Sequence, residues 1–142
     1  MAIADAAATL IGGLGLASQG SALKVYATEP REFDRLPAAA IRFEGTRRRG
    51  ALEADVQLGG AYWEVTYAIT LAHGMDDPDA AQRGLAELGR QIIAAVDANG
   101  TLSRTDVEDA VCEEAQQEFT DEADERQMAM WFIRLTVTAL AT

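Results

Sequence analysis

Two residues of this chain could support nucleophilic chemistry, its single cysteine, Cys112, and its single histidine, His73. A thiol becomes an effective nucleophile when a base such as imidazole lies within hydrogen-bonding reach. No motif in the sequence joins the two residues, and a lone buried cysteine commonly behaves as a small hydrophobic residue. His73 follows an apolar run and precedes Gly74, which favours a surface position at the end of a strand. An enzyme that uses Cys112 and His73 is therefore the minor interpretation.

No metal or cofactor motif is recognisable in the sequence. A structural zinc site needs several cysteine or histidine ligands. The acids at 76, 77 and 79 lack the central glycine and distal glutamate of a calcium loop. The glycines at 12, 13 and 15 follow no predicted strand and precede no Gly-Lys-Ser/Thr, so they do not resemble a phosphate loop. We expect no catalytic residues, no cofactor and no metal.

Charge is distributed unevenly along the chain. Acidic residues outnumber basic ones 23 to 12, and the net charge of −11 disfavours binding to nucleic acid or anionic membranes. The segment 106–125 is rich in acids, whereas Arg47, Arg48 and Arg49 are consecutive. Both features are compatible with solvated surface. Alternatively, the arginines contact an acidic face of a neighbouring subunit, which a closed head-to-tail ring requires.

The first half of the sequence predicts one helix and several strands. Apolar residues at helical spacing predict a helix over 3–16, and 23–27 is a short extended piece. Alternation predicts a half-buried strand, in which Ala39, Ile41 and Phe43 share one face, followed by a charged loop from Gly45 to Gly50. Leu52–Leu58 and Ala61–Ala72 alternate on either side of Gly59-Gly60, which predicts a tight hairpin.

The second half predicts a long helix and a strand pair. Pro78 at the start, a buried stripe and Asn99-Gly100 at the end predict a helix over 78–98. Val107–Phe119 fits both helix and strand spacing, and the acidic turn and strand that follow favour a strand. The last strand contains Trp131, Ile133, Leu135 and Val137 on one face. We predict one α+β domain over 1–142, an antiparallel or mixed sheet with long hairpins packed against two helices.

Targeting and membrane signals are weak in this sequence. The apolar N-terminal segment has no basic region and contains Asp5, so it makes a poor signal peptide. No uncharged stretch reaches the roughly 18 residues of a membrane span. We therefore expect no membrane partner.

The layout resembles the tail terminator proteins of long-tailed bacteriophages and related tail-like particles. The similarity covers nearly the whole chain: the N-terminal helix, LPAAAIRFEG, ALEADVQLGGAYWEVTYAITLA, DPDAAQRGLAELGRQIIAAVDANGTL and MWFIRLTVTAL. It implies a hexameric ring that caps the tail tube, ends tube polymerisation and presents a surface to the head or neck. The implied partners are other copies of the chain, the tail tube protein and a neck or head completion protein.

The resemblance also suggests roles for the charged residues. Candidate contacts to a ring neighbour or the tube are Arg47, Arg48, Arg49, Glu113, Glu114 and Glu118. Candidates for an acidic channel, through which DNA passes without specific binding, are Asp121, Glu122, Asp124 and Glu125. The protein would be part of a virion or phage-like tail assembled in the host cytoplasm. A neck or head–tail joining protein and a monomeric ligand-binding domain remain alternatives.

Overall fold

The chain is an α+β protein, as predicted. A computed structural model describes residues 2–18, 20–30, 33–49, 61–74, 78–120 and 128–141. The helices are α1 (Ala2–Gly12) and α2 (Pro78–Ala98). The strands are β1 (Ala17–Ser18), β2 (Ser21–Ala22), β3 (Lys24–Tyr26), β4 (Ala38–Arg49), β5 (Ala61–Gly74), β6 (Val107–Thr120) and β7 (Met128–Ala141).

Within the described ranges, the main sheet has five strands in the order β3-β4-β5-β7-β6. The short β3 runs parallel to β4, and every other neighbouring pair is antiparallel. The β4–β5 and β6–β7 pairs are long, and β5 and β7 are in register from Ala61↔Ala141 to Gly74↔Met128. Strands β1 and β2 form a separate two-stranded sheet that the sequence did not predict. Strand β1 contains Ser18, whose side chain contacts His73.

The core lies between one face of the main sheet, called here the helix side, and the two helices. The predicted stripe of α2 is confirmed, because its apolar positions are all buried: Ala81, Leu85, Leu88, Ile92 and Val96. The predicted face of β7 is buried as well: Trp131, Ile133, Leu135 and Val137. Helix α1 adds Ala4, Ala7 and Ile11 to the same core. Small and branched side chains thus let the helices approach the sheet closely.

Helix α2 has the bounds that the sequence predicted. Pro78 is its first residue, where a missing N–H costs no hydrogen bond. The helix stops at Ala98, and the side-chain amide of Asn99 donates to the carbonyl of Ala95 at 3.0 Å. That contact satisfies one of the carbonyls left unpaired at a helix end. The predicted end of α1 at residue 16 is wrong, since α1 ends at Gly12 and Gly15 takes a φ of +66°.

Strand β4 is longer than predicted. Residues 45–49 continue the strand instead of forming a charged loop, and Arg47, Arg48 and Arg49 pair with Glu64, Trp63 and Tyr62. A bulge between Phe43 and Gly45 shifts the register by one residue and thereby interrupts the alternation. The predicted burial of Phe43 is also wrong, because its side chain is 49% exposed.

Only the second strand of the hairpin predicted from 52–58 and 61–72 is described. Residues 52–58 and Gly59-Gly60 lie outside the described residues. Strand β5, however, pairs with β4 on one edge and with β7 on the other over residues 62–72. The hairpin partner of β5 is β4.

Residues 107–119 are in a strand, as favoured, but its alternation is interrupted. Strand β6 has register shifts between Val107 and Asp109 and between Glu114 and Gln116. The first shift places Val107 in the core and leaves Val111 on the opposite face, 44% exposed.

Candidate assembly surface

The main sheet has two unpaired edges in the described part of the chain. Strand β6 is the last strand on one side, and no described strand pairs with its outer edge along Val107–Thr120. On the other side, β3 pairs only with Ala38–Ala40 of β4. Residues 42–49 of β4 therefore also have an unpaired outer edge among the described residues. Unpaired edges present rows of free N–H and C=O groups, which can pair with another chain.

The free edge of β4 is basic. Arg42 is exposed and lies 3.5 Å from both Glu29 and Glu44. The side chain of Arg47 is 78% exposed and reaches Glu64 of β5 only at 3.9 Å. Exposed ion pairs of this kind contribute about 0–1 kcal/mol, so a new partner can compete for either guanidinium. For Arg48 and Arg49, only their place on the strand is described.

The edge strand β6 is acidic. Glu108, Asp109 and Glu113 are exposed, whereas Ala110 and Cys112 between them face the core. Glu114 and Glu118 lie on the same strand, and their side chains are outside the described part of the structure. The channel candidates Asp121, Glu122, Asp124 and Glu125 also lie outside the described residues. The predicted interface residues thus fall on two opposite edges of one sheet.

One acid next to β6 is already paired. Both nitrogens of the Arg104 fork donate to Asp106, each at 2.7 Å. This hydrogen bonding lowers the pKa of Asp106 and raises that of Arg104. Asp106 therefore already has a partner within the chain, and it is not counted with Asp109 and Glu113 as a candidate contact to another copy.

The charged residues of the two edges share the face of the sheet opposite the helices, called here the open face, although Ala38, Ala40, Thr70 and Ala72 on it are buried. One row across the four long strands contains Arg47, Glu64, Thr138 and Asp109. A second row contains Arg42, Ala68, Arg134 and Glu113. In each row, a basic residue stands at the β4 edge and an acidic residue at the β6 edge.

Two aromatic residues are exposed on the helix side. Phe43 is at the β4 edge, and its ring meets that of Tyr67 edge-on at 5.9 Å. Trp63 lies further along the same face of the β4–β5 pair and is 37% exposed. Large exposed aromatic residues are typical of contact surfaces, although isolated ones are common. Phe43 in the middle of β4 and Trp63 near the end of the β4–β5 hairpin add apolar area beside the basic edge.

His73 is buried, so the predicted surface position is wrong. Its side chain is 5% exposed, and its Nδ1 lies 2.8 Å from the carbonyl oxygen of Gly74. A carbonyl only accepts, so Nδ1 is the donor in this contact, and Nε2 lies 2.8 Å from Oγ of Ser18. A Cβ built on Gly84 of α2 would meet that Oγ at 2.5 Å. The Ser18–His73 pair thus joins β5, the β1–β2 hairpin and α2. Nothing in the sequence indicated that Ser18 would contact His73.

Cys112 and His73 are far apart in the structure. Cys112 is opposite Leu135, which is opposite Tyr67, and Tyr67 is six residues from His73 on β5. At about 3.4 Å per residue, six residues span roughly 20 Å. Burial and, secondarily, Asp97 raise the pKa of Cys112 to about 12. The geometry therefore does not provide the dyad considered from the sequence.

Neither a membrane-spanning helix nor a metal site is present in the described ranges. No helix there is long and apolar enough to cross a membrane. No group of three or more histidine, cysteine or acidic residues in the described ranges is arranged to hold a metal ion. No protein-family model matches the sequence, and no curated protein does.

Proposed function

We propose that this protein is a structural subunit that associates head to tail with its own copies to form a closed ring. The observation that supports this most directly is the pair of sheet edges, one basic and one acidic, that have no partner strand in the described part of the chain and lie on opposite sides of the same sheet. A ring needs two different, complementary patches on each subunit, whereas a two-fold dimer uses one patch twice.

The ring would act by geometry in a phage or phage-like tail. From the resemblance of the layout, we propose a tail terminator, which caps the tail tube, ends polymerisation and joins the tail to the head or neck. A neck or head–tail joining protein of the same particle uses the same kind of ring and remains the alternative position. In either place, the net charge of −11 would let DNA pass without binding.

The mass of the purified protein tests the ring. Sedimentation velocity from low micromolar to about millimolar concentration should show one closed species at a multiple of the 15.2 kDa chain. Negative-stain images should show particles with a central hole, six-fold if the resemblance holds. A single 15.2 kDa species at every concentration, with native circular dichroism, would refute the proposal.

A matched pair of surface substitutions tests whether Phe43 lies in the contact between copies. Phe43→Ser should weaken the ring, because it removes exposed apolar area next to the basic edge. Leu14→Ser changes a comparably exposed residue in the turn after α1 and should leave the ring intact. Equal sedimentation profiles for both variants would exclude Phe43 from the contact between copies.

A further inference from the structure

We infer that neighbouring copies join by strand pairing, with β6 of one copy adding antiparallel to residues 42–49 of β4 in the next copy. This inference rests on the proposed ring and specifies its contact. The main-chain groups on both edges have no partner strand among the described residues, so their pairing adds hydrogen bonds without breaking any within the sheet.

The strand directions of the sheet make this contact antiparallel. Strands β4 and β7 run one way, and β5 and β6 run the other, since all the long neighbours are antiparallel. When an identical copy is placed beside the first in the same orientation, β6 meets a β4 of opposite direction. A head-to-tail arrangement therefore continues the antiparallel pattern of the sheet from one copy to the next.

The charges in the rows across the open face favour one register. In the unshifted register, Asp109 lies opposite Arg47 of the next copy, and Glu113 lies opposite Arg42. Val111 then lies opposite Gly45, where an added Cβ would have nothing within 4 Å. If β6 were shifted by one residue along β4 of the next copy, the acids of β6 and the arginines of β4 would lie on opposite faces. A shift by two residues would keep both sets on the open face.

The charges favour this pairing over the two symmetric ones. Two β6 edges would bring Glu108, Asp109 and Glu113 against the same acids of another copy. Two β4 edges would bring arginines together. Like charges directly opposite each other on neighbouring strands are destabilising, so the unlike edges are selected.

Disulfide trapping tests the pairing and its register. Val111→Cys is combined, as a mixture of single variants, with Arg42→Cys, Gly45→Cys or Arg47→Cys, which all occupy the open face of the β4 edge. A disulfide requires Cβ atoms about 3.5–4.5 Å apart. We expect a dimer on non-reducing gels that is strongest with Gly45→Cys and absent when either variant is oxidised alone.

The matched control is Thr46→Cys, which neighbours Gly45 but lies on the helix side of the strand. It should not cross-link to Val111→Cys. The wild-type chain should also stay unlinked, because Cys112 is buried. No cross-link with any of the three β4 variants, or equal cross-linking of Thr46→Cys, would overturn the strand pairing.

A charge exchange tests the ionic contact. Arg47→Glu and Asp109→Arg should each weaken association by about tenfold or more, and the two changes together should restore it. Arg83→Glu on the exposed surface of α2 makes the same charge reversal elsewhere and should have little effect. If the wild type forms rings but the exchange does not rescue association, the proposed register is wrong and the ring stands. A wild-type chain that never associates refutes both.

Discussion

The packing of α2 on the Ser18–His73 pair can be tested by comparing substitutions at two glycines of the helix. Gly84 and Gly89 are both inside α2, and alanine is favoured over glycine in a helix by about 1 kcal/mol. A Cβ at Gly89 would meet Trp131 at 3.6 Å, an ordinary contact distance. Gly89→Ala should therefore raise the free energy of unfolding by up to about 1 kcal/mol.

Gly84→Ala should behave differently. Its Cβ would lie 2.5 Å from Ser18 Oγ and 2.9 Å from His73 Nε2, so the hydroxyl must move away. The buried imidazole nitrogen then loses its hydrogen bond, which costs about 1–3 kcal/mol. This loss offsets or exceeds the gain in helix propensity, and we expect Gly84→Ala to be less stable than Gly89→Ala by about 1–3 kcal/mol.

Urea denaturation followed by circular dichroism measures both variants against the wild type. In a Ser18→Ala background the clashing hydroxyl is absent, so Gly84→Ala should cost less there than in the wild type. If Gly84→Ala stabilises the protein as much as Gly89→Ala does, then the close packing of α2 on this pair is refuted.

Further predictions concern three single side chains. Thr70 is buried and its hydroxyl has no partner among the described residues, so Thr70→Val should keep or raise the unfolding free energy, by up to about 1–2 kcal/mol; a loss in urea denaturation would contradict this. Burial raises the pKa of Cys112 to about 12, so at pH 8 the native thiol should react with iodoacetamide far more slowly than the unfolded chain. Because the folded state keeps that proton at a pH where the unfolded state has lost it, the contribution of Cys112 to stability should decline from about pH 9 upward and should be absent in Cys112→Ala. Ser103 is exposed with a φ of 58°, so Ser103→Gly should raise the thermal midpoint slightly, and a lower midpoint would contradict the strain.

Local signals in the sequence were sufficient for α2 and for the β7 strand. The α2 stripe, Pro78 and Asn99-Gly100 lie within one continuous segment, and each acts on the backbone nearby. The same holds for the alternation from Trp131 to Val137. Such elements can be predicted because their determinants are close together in the chain.

Strand partners and bulges depend on distant parts of the chain. Residues 52–58 alternate as well as 38–43 do, so the sequence alone did not reveal that β4 takes the edge of β5. The bulge beside Glu44 has no sequence signal beyond a broken alternation. Strand β4 continues after the bulge through Arg47–Arg49. The three arginines were recognised as candidates, whereas the free edge that presents them could be seen only in the sheet.

The burial of His73 also has a distant cause. Its surroundings come from Ser18, 55 residues earlier in the chain, and from Gly84 on α2. Periodicity describes which face of a strand a residue occupies but not which elements cover the end of that strand. A position before a glycine therefore suggested exposure, and packing across elements reversed it.

The three residues of β3 impose a physical stop on the sheet edge. An incoming strand can slide along β4 only until it meets the segment that already occupies Ala38–Ala40. Slippage is therefore blocked in one direction and open in the other. In a series of joined copies, such a stop would set the axial offset between neighbours, and lengthening or deleting β3 would change that offset without altering any charged residue.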